Sequence, residues 1–152
     1  MVIYFSRSRK TEVFAKVLGE MKGLPLFELR SELNEMPNFR FMLKALRLAL
    51  FGKTFSVDRM PESLPEEIFV CSPIWGGNVT PPVKYFLQHA KLKDVRVNIL
   101  LTASMPTDNY IKKAEKLLEN TSCLAGNVCI FATNSKEAPD EDLIREHLKE
   151  AL

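Results

Sequence analysis

The sequence predicts an α/β protein, a doubly wound five-stranded parallel sheet with helices on both faces. Three observations carry this. Short apolar runs and amphipathic helical segments alternate five times along the chain. Several of the runs lack polar alternation, as expected of strands buried on both faces. Finally, 152 residues at 46% hydrophobic content suit one ordinary domain with a full core, so a single domain over 1–152 is expected.

Each element has its own signal. Val2–Phe5 is a continuous apolar run and reads as the first strand. Over Glu12–Lys22, Val13, Phe14, Val17, Leu18 and Met21 recur at helical spacing, and Gly23 closes the segment. Pro25–Leu29 reads as the second strand and Glu67–Cys71 as the third. Pro81–Ala90 is a helix with Val83, Phe86, Leu87 and Ala90 on one face. Its two leading prolines are tolerated because first-turn N–H groups have no intrahelical partner. Val95–Ala103 is the fourth strand, rich in β-branched and Leu residues. Asp108–Glu119 is a helix carrying Ile111, Ala114, Leu117 and Leu118, with Asp108 expected at its N-cap. Asn127–Thr133 is the fifth strand. Asp140–Leu152 is the last helix, with Leu143, Ile144, His147, Leu148 and Ala151 expected on its buried side.

The stretch 31–66 is long for one connection. Within it, Phe39–Phe51 holds ten apolar residues of thirteen, with Arg40, Lys44 and Arg47 on one stripe. A packed crossover helix is one reading. The other is a surface that docks a partner chain or a membrane.

Composition removes several classes of function. No apolar run approaches the roughly 18 residues of a membrane span, and the start of the chain reads as a strand rather than a leader, so a cytoplasmic protein is expected. Three cysteines (Cys71, Cys123, Cys129) without ligand spacing suggest reduced thiols and no metal site. A net charge of +2, dispersed along the chain, does not support nucleic-acid binding. Neither a Gly-x-Ser-x-Gly elbow nor a Walker pattern occurs.

In doubly wound sheets, ligands bind beyond the carboxyl ends of the strands, which directs attention to three loops. Ser6-Arg7-Ser8-Arg9-Lys10-Thr11 follows the first strand and opens into a helix. Hydroxyls and backbone N–H groups can converge there on a phosphate, helped by the helix dipole and three cations. A capped, solvated turn is the plainer alternative. After the third strand, Pro73-Ile74-Trp75-Gly76-Gly77-Asn78 places the only Trp in an expected turn. The ring either covers the sheet end or stacks on a planar ligand, and the glycines let backbone approach closely. After the fourth strand, Ala103, Ser104 and Met105 offer a small-residue wall. Together these describe a pocket for a phosphorylated planar cofactor.

With those loops in place, the sequence resembles the flavodoxin-like FMN proteins. Ser6, Ser8 and Thr11 match the hydroxyl positions of that family's first loop. Ser72-Pro73-Ile74-Trp75-Gly76-Gly77, followed by Pro81-Pro82-Val83, is similar to its ring-binding loop. The resemblance implies strand order 2-1-3-4-5 and noncovalent FMN, with residues 6 to 11 at the phosphate, 73 to 78 at the ring and 103 to 105 beside it. It further implies a redox role in which electrons pass to a partner protein or a small acceptor such as a quinone, without a protein acid or base. A homodimer is compatible with it. Arg9 stands where the family usually has Gly, and Lys10 where Asn is frequent. A positive φ at position 9 would cost an Arg roughly 1 kcal/mol. The competing expectation is an interaction module on the same fold, with FMN weakened or lost and a partner docked through 39–51.

Overall fold

The computed structural model describes residues 1–37, 40, 55–133 and 139–152. Its strands are β1 (Val2–Tyr4), β2 (Leu26–Glu28), β3 (Glu67–Trp75), β4 (Asn78–Val79), β5 (Arg96–Ala103) and β6 (Leu124–Ala132). The helices are α1 (Lys10–Lys22), α2 (Glu32–Glu35), α3 (Pro81–His89), α4 (Asp108–Glu119) and α5 (Glu141–Ala151). Five strands pair in parallel in the order β2-β1-β3-β5-β6. Setting aside the two-residue β4, this is the expected 2-1-3-4-5 winding. The expected count was one strand short, because β4 folds back antiparallel on β3. The crossover helix expected over 39–51 lies outside the described residues, Arg40 apart.

Alternation along the strands separates two cores. Ile3, Phe5, Ile68, Val70, Val97, Ile99 and Leu101 face α3 and α4, meeting Val83, Phe86, Leu87, Ala114 and Leu118. Val2, Tyr4, Phe69, Cys71, Leu100 and Phe131 face the other way, onto Phe14, Ala15, Val17 and Leu18 of α1 and Ile144 and Leu148 of α5. Period-two strands between period-3.6 helices dictate this three-layer arrangement. The last helix corrects one expectation. Leu143 and His147 are exposed; Ile144 and Leu148 form the buried stripe, Ala151 packs beside them, and His147 only leans its ring towards Phe131, centroids 6.3 Å apart.

β3 runs four residues beyond the expected Cys71, straight through Pro73. The reason lies in strand parity. Phe69 N donates to Met1 O and Cys71 O accepts from Phe5 N, so odd-numbered residues of β3 turn their peptide groups towards β1. β1 pairs only as far as Tyr4, opposite Cys71. At Pro73 no ladder bond is asked of the missing N–H, while pairing with β5 continues to Thr102. At the opposite end, β6 begins at Leu124 rather than Asn127. Buried Asn98 occupies the space a side chain at Gly126 would need, accepting from Asn127 N (2.9 Å) and donating to Glu67 Oε1 (3.0 Å). The strands stay paired around it with a register shift.

Candidate functional site

The carboxyl ends of β1, β3 and β5 carry all three loops, and specific contacts draw them together. Phe5, the last core residue before the first loop, meets Trp75 edge to face, with ring centroids 5.3 Å apart. On the other side of the first loop, Thr11 Oγ1 and Thr102 Oγ1 share a buried hydrogen bond of 2.8 Å. The loops holding Ser6, Trp75 and Ala103 therefore converge on one edge.

The first loop is held firmly, yet the Ser6 hydroxyl finds no hydrogen-bond partner among the described residues. Arg7 donates to Met36 O (2.9 Å), and Asn34 Nδ2 donates to Ser6 O (3.3 Å), tying the loop to α2. That short helix is ordered by a capping box in which Leu33 N donates to Ser31 Oγ and Ser31 N to Asn34 Oδ1. Ser6 is only 7% exposed, and its hydroxyl has no hydrogen-bond partner among the described residues. Ser8 and Arg9 are exposed, Lys10 half-buried. Arg9 occupies the N-cap of α1 with φ 62° and ψ −4°, and its side chain makes no capping hydrogen bond. The left-handed backbone anticipated at this position is thus present, on a residue with a Cβ. Thr11 lies inside the helix and is buried; its hydroxyl is engaged with Thr102 rather than open to solvent.

The second loop is a hairpin rather than the expected open turn. Trp75 is the last residue of β3 and pairs with Asn78, leaving Gly76 (φ 55°) and Gly77 (φ 77°) as a two-residue connection. Two successive positive φ values define the primed turn that such hairpins favour, and they demand glycine here. Trp75 is half-buried and, like Ile74, packs against the core. Ser72 anchors the base, accepting from Thr80 N (3.1 Å) at the start of α3. Two tip carbonyls are also held: Asn78 Nδ2 donates to Gly76 O (3.1 Å), and Lys113 Nζ donates to Gly77 O (3.0 Å).

The third loop is the most open. Ala103 is buried, Ser104 is exposed, and Met105 is 79% exposed. Asp108 proves to be in the first turn of α4, with Thr107 at the N-cap. Sequence reasoning missed Phe5, Asn34, Met36 and Lys113 as neighbours of the edge. Only the Ser31-x-x-Asn34 capping pattern had a readable signal. A cavity of about 360 Å³ beside α2 is lined by Glu28, Arg30, Ser31, Glu32, Asn34 and Asp58. With three carboxylates against one guanidinium, it does not suit an anion.

Burial pushes the Cys71 thiol strongly upward, with the neighbouring Cys129 adding to it, so Cys71 is an inert core thiol and not a nucleophile. Among the described residues no cluster of three or more His, Cys, Asp or Glu side chains could hold a metal ion. Nor is any described helix long and apolar enough to cross a membrane.

The fold is flavodoxin-like. An FMN-complexed flavoprotein from Lactobacillus acidophilus superposes with a TM-score of 0.65 at 18% identity, over 85% of this chain and 90% of that one. An inferred flavoprotein from Bacteroides eggerthii gives 0.71 at 19% identity, over 99% and 95% of the two chains. The two-electron reduced flavodoxin of Megasphaera elsdenii gives 0.53 at 16% identity, over 99% and 100%. No family model matches the sequence, and a search of curated proteins finds no match.

Proposed function

We propose that this protein binds FMN noncovalently at the carboxyl edge of its sheet and acts in electron transfer, either to a partner protein or to a small acceptor such as a quinone. One observation carries the reading. Among the described residues, the buried Ser6 hydroxyl has no partner, and it lies at the base of a loop that leads into a helix N-terminus. A buried hydroxyl left unpaired costs about 1–3 kcal/mol, and a phosphate oxygen would relieve that cost. The flavoprotein complexed with FMN has the same fold, which supports the choice of ligand.

The residues divide into three roles. Ser6 and Ser8, with backbone N–H groups of residues 9 to 11, would hold the phosphate, and Arg7, Arg9 and Lys10 would add attraction. Thr11 fixes the start of α1 through Thr102, holding those N–H groups in place. Pro73 to Asn78 would bind the ring, with Trp75 as the stacking surface and Gly76 and Gly77 bringing backbone to the ring's edge. Ala103, Ser104 and Met105 would border its far side. No aromatic residue lies between Ala103 and Asn109, which leaves that face free for an acceptor to approach. The bound flavin would supply the electron or hydride chemistry, and the protein its orientation and electrostatics.

The test is an absorbance spectrum of the purified protein from about 350 to 500 nm, before and after adding FMN, with Trp fluorescence followed in parallel. Bound FMN should give the flavin bands and quench the single Trp. A colourless protein whose Trp emission ignores added FMN would end this reading.

A further inference from the structure

We infer that Lys113 is a positioning residue for the Trp75 hairpin, its ammonium fixing the Gly77 carbonyl and, through it, the aromatic platform. For its ligand this rests on the flavin reading above; the latch itself rests on geometry. β4 contributes only two residues, paired on one side, so the ladder gives the tip little support. Two glycines at the tip add backbone freedom. The Asn78 to Gly76 bond lies within the tip and cannot place it against the body of the protein.

Lys113 can. It reaches Gly77 O at 3.0 Å across 36 residues of sequence, from a helix fastened to the core by Ala114 and Leu118. Tyr110 stands one turn earlier on the same face, as i,i+3 spacing requires. A Cβ at Gly77 would lie 3.5 Å from Tyr110 Cε1 and 3.4 Å from Lys113 Nζ. The tip is therefore packed by a ring and held by a charge-assisted bond, both from α4. The rigid helix sets where the hairpin stands, and the hairpin sets where Trp75 stands.

The experiment compares wild type with Lys113→Met, which keeps the aliphatic stem, and Lys113→Arg, which restores a donor. Amide hydrogen exchange at Gly76 to Asn78 and acrylamide quenching of Trp75 are read without ligand; affinities are then measured for FMN and for riboflavin, which lacks the phosphate. Lys113→Met should raise exchange at the tip about fivefold, the worth of an ordinary hydrogen bond, since solvent exposure screens the charge, and make Trp75 easier to quench. It should weaken FMN and riboflavin by the same factor, and Lys113→Arg should recover most of each effect. Unchanged tip exchange, a uniform rise across the whole sheet, or weakening of FMN alone would each overturn the latch. If wild type binds neither flavin, the functional reading falls, while exchange and quenching still decide the latch.

Discussion

The β1–α1 loop and the β3–β4 hairpin meet at the Phe5–Trp75 contact, yet they satisfy the backbone in opposite ways. In the hairpin both positive φ angles fall on glycines, and both tip carbonyls have side-chain donors. In the first loop the positive φ falls on Arg9, whose side chain makes no capping bond to α1, and among the described residues the Ser6 hydroxyl is left over. One wall is relaxed as it stands. The other carries strain and an unmet polar group, which is how a surface waiting for a ligand differs from one that supports it.

Phe5 joins the two walls, so its loss is the severest way to break the comparison. Phe5→Ala removes a fully buried ring and should lower unfolding free energy by about 3–5 kcal/mol, measured by urea denaturation. Next comes Ser6→Ala, whose effects should have opposite signs in the two states. Deleting an unpaired buried hydroxyl should stabilise the ligand-free protein by about 1 kcal/mol, yet losing a bond to a charged phosphate should weaken FMN by about tenfold or more. Riboflavin affinity should not move. Equal weakening of both flavins would place the phosphate elsewhere. Trp75→Ala should show the reverse selectivity, weakening both flavins alike by about tenfold, read by absorbance titration.

Arg9→Gly should have a smaller effect. Relief of the left-handed backbone, less the added chain entropy of glycine, should raise stability by about 0.5–1 kcal/mol. The salt dependence of FMN binding should fall at the same time, which would show that strain and charge reside on one residue. The mildest test is alkaline pH. The Cys129 thiol, pushed up by burial to about 11, and the Tyr4 phenol, raised to about 12 chiefly by burial and then by Glu28 and Glu12, hold protons that the unfolded chain releases near 9 and 10. Their contribution is complete below pH 9 and is lost as pH rises to 12. Thermal melts across that window should fall.

Much of this was legible because alternation and helical spacing are strong signals. Ile3, Val70 and Ile99 on one face, and Val2, Phe69 and Leu100 on the other, follow directly from period two. The edge loops were legible from Ser6, Ser8 and the Trp75-Gly76-Gly77 stretch. What escaped depended on partners distant in sequence. Pro73 reads as a strand breaker until it is known that β1 has already ended beside it. Thr11 reads as a loop hydroxyl, but nothing local announces its bond to Thr102 at 2.8 Å. Leu143 and His147 fit the helical stripe but both stay exposed, His147 touching the sheet only through its ring near Phe131. Lys113 is one exposed lysine among many, and nothing local marks its hold on Gly77.

Pro73 also guards against misalignment. If β3 slid by one residue against β1, the proline's peptide group would turn towards β5, where an N–H is needed, while every apolar side chain of the strand changed core. A slipped pairing would thus be penalised twice, once in hydrogen bonding and once in burial. The residue that looks like an interruption of β3 makes the neighbouring registers unfavourable, and so helps to ensure that Ser6 and Trp75 arrive at the same edge.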